Sequence, residues 1–454
     1  MDGFGSYYGE TNLHPLGLIV VVSLGLTMLI VKRRYALIPL LVVACTIPVS
    51  QRLVILGSDF TLLRILLLIA ISRMIFDSSL KNGFRWNRLD TAILLWTLSG
   101  TIVMTANIGS LGALVNRLGW SFDILASYFL VRMLVKERSD VLVIAKATAI
   151  LSLPVAVAFA VEWTTRYNMF SIFGGVPAET VIREGRFRCQ GAFMHPILAG
   201  TFWVCAMPLF WMLRGESDSY RRWSRMGFIA SLFIVIACAS STPLLSLAVG
   251  LLGWYLFRYR EYRKHLRYGF VFGLIGLHIV MNNPVWHLMA RVDILGGSTG
   301  WHRYRIFDTF VNHFSDWFLL GEANPMSWGV WEMRDITNEY MLQGLRGGLL
   351  TLTLFVFVLA FAFGNVGRVL NLLGTQRAPQ SHEWLTWLIG VALLIHTVTF
   401  MGVSYFGQMH LILYIQLALA GCVSHPAFHR NASFRSPMRA EAKVLGQSAI
   451  RKGA

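Results

Sequence analysis

Three segments of this sequence gather arginine, histidine and carboxylate side chains closely enough to do chemistry. The first is Arg186-Phe187-Arg188-Cys189-Gln190-Gly191-Ala192-Phe193-Met194-His195-Pro196. Gly191 permits an unusual backbone turn, and Pro196 suits the first turn of a following helix. Arg188 and His195 are therefore expected beside a helix N-terminus, with Arg186 close by. Helix N-termini and guanidinium forks both favour phosphate. The plainer reading is a loop whose arginines touch lipid headgroups.

The second segment runs Gly297-Ser298-Thr299-Gly300-Trp301-His302-Arg303-Tyr304-Arg305-Ile306-Phe307-Asp308, then His313-Phe314 and Trp317-Phe318-Leu319-Leu320-Gly321. Its apolar spacing predicts an amphipathic helix over 301–318 lying along an interface. Arg303 and Arg305 point to different faces of such a helix, and Arg303 is favoured to reach a site. Most of the aromatic residues read as an interfacial belt. The third segment is Arg334-Asp335-Ile336-Thr337-Asn338-Glu339-Tyr340-Met341-Leu342-Gln343-Gly344-Leu345-Arg346-Gly347-Gly348. Asp335 and Glu339 lie four apart, so one helical turn could place both on one face for acid/base work. Asp335 as a plain helix cap explains the spacing equally well.

The elements that must position these side chains are membrane helices. Of 454 residues, 55% are hydrophobic and 14% charged, where a soluble chain carries about a quarter charged residues. Apolar runs fall near 15–31, 36–50, 61–76, 90–106, 113–131, 141–162, 195–213, 226–241, 243–257, 268–283, 347–364, 384–401 and 405–423. They predict an all-α polytopic membrane protein of about twelve to fourteen transmembrane helices, each crossing roughly 30 Å of hydrocarbon. The N-terminus lacks the basic stretch of a cleavable signal, so the first run reads as a retained anchor.

Basic residues such as Lys32, Arg33, Arg34, Lys81, Arg85, Arg88, Lys136, Arg138, Arg221 and Arg222 follow every second run. The positive-inside rule places them in the cytoplasm, together with a basic tail at 424–454 suited to anionic lipid. The domain 1–423 then carries two long extracytoplasmic loops, 163–194 and 282–346. Both break the charge rule: they hold Arg183, Arg186, Arg188, Arg291, Arg303, Arg305, Arg334 and Arg346. Cations on the wrong side of a membrane call for an anionic ligand.

Several classes are disfavoured. The net charge of +17 would raise nucleic-acid binding in a soluble chain, but here topology accounts for it, and no nucleic-acid partner is expected. The five cysteines (Cys45, Cys189, Cys205, Cys238, Cys422) form no C-x-x-C pair, so neither a disulfide nor a metal site is expected from them. No phosphate-cradling G-x-x-x-x-G-K-[ST] loop, H-E-x-x-H helix or G-x-S-x-G elbow is present. No cofactor is expected. The reaction should use a preactivated substrate delivered from the membrane.

At the three segments the sequence resembles the O-antigen ligase and O-antigen polymerase superfamily, most nearly its bacterial exopolysaccharide polymerase-like members. The shared pattern is an R-x-x-G-x-F-x-x-P loop (Arg188 to Pro196), an S-T-G…H-R-x-R…W-x-L-L-G stretch (Ser298 to Gly321) and an N-x-Y…G-x-x-G-G stretch from Thr337 to Gly348. The resemblance implies a GT-C-like, metal-independent, inverting glycosyltransferase of the bacterial inner membrane, with its site facing the periplasm or cell exterior. Donor and acceptor would be undecaprenyl-diphosphate-linked oligosaccharides, with chain-length regulator and export proteins as further partners. Arg188 and Arg303 match the arginines that hold the donor diphosphate in that family. Asp335 and Glu339 join them as catalytic candidates. Arg186, His195, Arg291, His302, Arg305, Thr337, Asn338 and Tyr340 are the candidate substrate contacts.

Ligase members of that family often carry His where this chain has Thr337, whose hydroxyl is a poor base. The base is then Asp335, Glu339, His302 or His195, or leaving-group stabilisation dominates. That departure tilts the reading towards a polysaccharide polymerase. The rivals are ligation onto a lipid A core or protein, and a lipid-linked oligosaccharide flippase or exporter. Transport would want charge along the spans, and only Arg64 and Arg73 stand out there.

Overall fold

The structure, a computed structural model, describes residues 10–55, 58–77, 80, 84–281, 284–288, 299–425 and 428. Arg291, the Gly297-Ser298 start of the second segment and nearly all of the 424–454 tail lie outside the described residues. The described residues are 76% helix and 4% strand.

In order, the helices are α1 (Pro15–Ile30), α2 (Ile38–Thr46), α3 (Leu62–Phe76), α4 (Arg88–Ile108), α5 (Leu111–Leu134), α6 (Arg138–Thr165), α7 (Pro196–Met212) and α8 (Asp218–Ala237). They continue with α9 (Ser241–Tyr255), α10 (Arg263–Val280), α11 (Thr299–Asn312), α12 (Phe314–Trp317), α13 (Glu339–Thr375), α14 (Gln380–Thr399) and α15 (Met409–Cys422). Two antiparallel hairpins interrupt them: β1 (Arg52–Ile55) with β2 (Ser58–Thr61), and β3 (Val181–Arg183) with β4 (Arg186–Arg188).

Among the described residues, four helices are long and apolar enough to cross a membrane: Arg88–Ile108, Arg138–Thr165, Pro196–Gly215 and Glu339–Thr375. The third is apolar all round and 94% buried; a helix without a polar face belongs at the centre of a bundle. The run at 36–50 departs from the expected span. It forms only the nine residues of α2, about 14 Å at 1.5 Å per residue, too short to cross alone.

At one end of the bundle, Arg33 pairs with Asp140 at 2.6 Å, Arg132 with Asp90 at 2.9 Å, and Arg138 with Glu216. Arg33 and Arg138 lie in connections that the charge pattern groups together, and Arg132 lies in the last turn of α5. α1 and α6 run between this end and the opposite one. There the His14 N–H donates to Gln51 at 2.7 Å, and Gln51 donates to the Phe173 carbonyl at 2.5 Å. Both cationic side chains of α3 are satisfied within the bundle. Arg64 donates to Asp123 at 2.8 and 2.6 Å, and Arg73 donates to the Met28 and Val31 carbonyls.

The second and third sequence segments dock on each other through glycines. α13 kinks at Gly347 and Gly348, where Gly348 has φ +66. There the Leu349 N–H donates to the Phe318 carbonyl at 2.7 Å and the Glu322 N–H to the Leu345 carbonyl at 2.8 Å. A Cβ on Gly348 would strike the Leu319 carbonyl, and one on Gly321 (φ +77) the Leu345 carbonyl. The expected single helix over 301–318 is broken. His313 leaves helical geometry (φ -101, ψ 31) and its ring stacks on Trp328, so α11 and α12 are separate.

Gly348→Ala should therefore destabilise the protein by about 1–3 kcal/mol, through a left-handed backbone and a blocked close approach. Gly364→Ala, mid-helix with open space around it, should be neutral or mildly stabilising. Thermal unfolding of the two purified variants in detergent checks the contrast.

Candidate functional site

The site begins with a two-residue turn. Glu184 and Gly185 both have positive φ, +53 and +72, as the type I′ turn that suits a tight hairpin requires. In the resulting register Arg183 faces Arg186, and Val181 faces Arg188. Directly opposed residues share a face, as do alternate residues of one strand. Arg183, Arg186 and Arg188 thus project from the same side, while Phe187 turns the other way, under the Arg166 guanidinium at 4.9 Å. Like charges opposed across a hairpin are unfavourable.

Arg188 is the most constrained of the three. It is only 8% exposed, and its buried Nε has no hydrogen-bond partner among the described residues. Burial, with Arg183 nearby, pushes its guanidinium below the usual arginine range. The chain that follows is pinned from outside the site. The Glu162 carboxylate accepts the Gln190 and Gly191 N–H groups at 3.0 and 2.9 Å, and Asn168 donates to the Gly191 carbonyl at 2.9 Å. Gly191 (φ +57) is required, since a Cβ would run into the Phe159 ring.

His195 then caps α7: its Nδ1 accepts the Ile197 N–H at 3.2 Å. The proton of the neutral ring therefore sits on Nε2. Burial, then the positive charges of Arg188 and Arg183, lower its pKa to about 4. At neutral pH this imidazole is an uncharged hydrogen-bond donor.

α11 and the stretch before α13 supply the facing wall. Arg303 Nη2 donates to Thr242 Oγ1 at 2.7 Å, in the first turn of α9. Arg305 lies apart, paired with Glu332 at 3.0 Å. His302 Nε2 lies 3.2 Å from the Asp335 carbonyl oxygen. A carbonyl only accepts, so Nε2 carries the proton and the Nδ1 lone pair is left available. The Thr337 hydroxyl is buried without a partner among the described residues.

Asp335 and Glu339 do not share a helical face. α13 starts at Glu339, and its cap is Asn338, which accepts the Met341 N–H at 3.2 Å. Asp335 sits in extended backbone before it, so it is not the cap. Glu339 is 5% exposed and its carboxylate accepts the Tyr405 N–H and Gln343 Nε2, both at 2.7 Å. The Tyr340 hydroxyl donates to the Thr397 carbonyl at 3.0 Å. Asn338, Glu339 and Tyr340 thus hold the turn around residues 400–405 rather than face the site. A buried chain of Tyr405, His396 and Gln416, with both His396 contacts at 2.8 Å, backs that turn.

Together these elements enclose a cavity of about 370 Å³ lined by Arg183, Arg186, Arg188, His195, His302, Arg303, Asp335 and Thr337. Glu184 and Ile197, Ala239 to Ser241 at the start of α9, and Gly402, Val403, Ser404 and Phe406 complete it. The N-termini of α7 and α9 both border it, and helix N-termini attract anions. It adjoins a larger chamber of about 1390 Å³, sharing His195, His302, Asp335 and Phe406 with it. Arg183 and the α9 start escape the motif reading. The signal for Arg183 lies in the sequence, in Glu184-Gly185 set between alternating residues.

No protein-family model matches this sequence, and no curated protein matches it. The cavity therefore speaks through its own chemistry. It offers four guanidiniums against two carboxylates (Glu184 and Asp335), two helix N-termini, one neutral imidazole donor and one imidazole with a lone pair.

The His195 environment gives a direct test. Replacing Arg188 by Gln removes one of the charges that hold its pKa near 4, so the value should rise towards the ordinary 6.5. Histidine-selective NMR titration reads this, and an unchanged curve would refute the proximity of the two groups. Because the folded-state value lies below the unfolded one, the unfolded chain takes up the proton first. The site should lose stability as pH falls from about 6.5 towards 4.

Proposed function

We propose that this chain is a polysaccharide polymerase of the bacterial inner membrane, multi-pass, with its site on the periplasmic or outer side. In this reading the shorter apolar helices also span or enter the bilayer, giving about twelve to fourteen crossings in a GT-C-like arrangement. The donor is a glycan on undecaprenyl diphosphate, and the acceptor is a lipid-linked repeat unit. The single observation that carries the proposal is the Arg188 guanidinium, buried beside other arginines with an unpartnered Nε. Burying a cation that makes no direct ion pair among the described residues is costly, and a diphosphate would supply that pair.

The chemistry follows from the placement. An acceptor hydroxyl attacks the anomeric carbon from the face opposite the diphosphate. The new C–O bond forms as the bond to the phosphate oxygen breaks, and the electron pair leaves on the lipid diphosphate. Arg188 and Arg303, with Arg186 and Arg183 around them, stabilise that growing negative charge, as preorganised cations can without a metal. The hydroxyl proton passes to His302 Nδ1, whose lone pair is left open by the contact of Nε2 with the Asp335 carbonyl. His195 is unsuited to that role, because its Nδ1 lone pair is already used by the Ile197 N–H.

Ligation onto a lipid A core or onto protein would use the same donor half, and the attached product distinguishes it. A flippase is less well supported. Arg64 and Arg73 spend their donors on Asp123 and on backbone carbonyls inside the bundle rather than along a path.

Arg188→Lys cannot reproduce a bidentate fork, so chain extension should fall about 10²–10³-fold, read as short polymer on a gel. Polymer of normal length at normal protein level would sink the proposal. His302→Ala should lower kcat by about 10²–10⁴-fold while donor binding persists. If Asp335→Asn shows that loss and His302→Ala does not, the base is the carboxylate.

A further inference from the structure

Two of the five cysteines meet beside the cavity although they stand far apart in sequence. Cys189 follows Arg188 directly, and Cys238 follows the last residue of α8. The Cys189 N–H donates to the Ala237 carbonyl at 3.0 Å, one residue from Cys238. A backbone hydrogen bond between neighbouring strands holds facing Cα atoms about 4.5–5.5 Å apart, inside the roughly 4.4–6.8 Å that a disulfide bridges. Both residues are buried. Cys238 lies within electrostatic reach of the Cys189 sulfur, and both lie within reach of the Glu162 carboxylate. Successive side chains of an extended strand alternate sides, so with Arg188 on the cavity Cys189 turns into the protein. The other three cysteines are placed elsewhere: Cys205 lies against His396 at 3.5 Å, Cys422 against Arg132 at 3.8 Å, and Cys45 is in α2.

The pair joins two walls of the cavity. Arg188, next to Cys189, lines one wall; Ala239, Ser240 and Ser241, next to Cys238, line the other. The hairpin also carries a load. Arg183 and Arg186 face each other in register, and like charges opposed across strands repel. A covalent tie at the end of β4 would hold the guanidiniums at a fixed distance from the N-terminus of α9. The loop 163–194 falls on the outer side in the charge pattern, and outside the cytoplasm paired thiols are kept oxidised.

We propose that Cys189 and Cys238 are joined by a disulfide in the mature protein, tying the end of the arginine hairpin to the turn that opens α9. The proposal rests on the outward placement of this end in the polymerase reading, and on nothing about the glycan. The oxidant is a protein disulfide of the outer compartment, acting while the chain folds and both thiols are still accessible. One cysteine, as the thiolate, attacks a sulfur of that disulfide to form a mixed disulfide, and the second cysteine displaces it. Two protons and two electrons pass to the oxidant, which leaves as a dithiol, and one S–S bond remains in this chain.

Full-length protein is produced in a bacterial inner membrane, its free thiols are capped with N-ethylmaleimide in denaturant, and its intact mass is read before and after reduction. Before reduction only Cys45, Cys205 and Cys422 should carry adducts; after it all five cysteines should. Cys189→Ser and Cys238→Ser should each free the other thiol and leave nothing for reduction to release. Trypsin should cut after the exposed Arg183 and Arg186 severalfold faster once the wild-type protein is reduced, with no such effect of reductant on Cys189→Ser. Five adducts before reduction overturn the proposal, as does a bond that survives in Cys189→Ser, and cleavage indifferent to reduction overturns the anchoring role. Oxidising isolated membranes with copper phenanthroline separates the two ways of finding five adducts. A Cys189–Cys238 bond that forms only then shows that the thiols meet on the reducing side, and the outward placement in the polymerase reading fails as well. No bond even then shows that the sulfurs do not meet, and the polymerase reading is untouched.

Discussion

A buried guanidinium that forms no ion pair among the described residues governs the site. Arg188 is buried, and the carboxylates nearby are engaged elsewhere: both Glu162 oxygens accept backbone N–H groups of the next loop, and Glu184 pairs with Arg183 at 3.6 Å. The hairpin register then adds Arg183 and Arg186 on the same face. Each choice raises the electrostatic cost of the empty site, since buried charge and cross-strand like charge are both unfavourable. The cost makes physical sense when an anion completes the arrangement.

Such a charge cluster must be held by a frame that cannot relax around it. Two devices do this. α7, buried on all sides, anchors His195 at its first turn. Glycines let backbone lie directly on backbone where α13 kinks against residues 318–322. Glu339 spends its carboxylate in the same way, tying the Tyr405 N–H to Gln343 and so fixing the turn that carries Gly402 to Ser404. Glu162 and Glu339 thus act as structural clamps.

The two histidines illustrate how hydrogen bonds assign roles that residue type leaves open. Both line the junction of the two spaces. The Ile197 N–H takes the Nδ1 lone pair of His195, whereas the Asp335 carbonyl takes the Nε2 proton of His302. One ring is left as a donor and the other as an acceptor. On either side the charge balance changes, from excess cation to neutrality.

Composition and hydropathy by themselves determined that the chain is helical and built for a membrane, because 55% hydrophobic residues in long runs leave no other stable arrangement in lipid. Spacing also marked the segments that meet at the cavity, since Gly191, Gly321 and Gly348 record close approaches that only glycine allows. Other features were beyond its reach. The nine-residue α2, the break at His313 and the hairpin that aligns three arginines depend on local turns and on distant packing. The separation of Asp335 from Glu339 was decided when Asn338 capped α13, a competition between neighbouring side chains for one set of free N–H groups. Which polar groups are spent and which remain available is a property of the assembled fold, because it depends on partners as far apart in sequence as Glu339 and Tyr405.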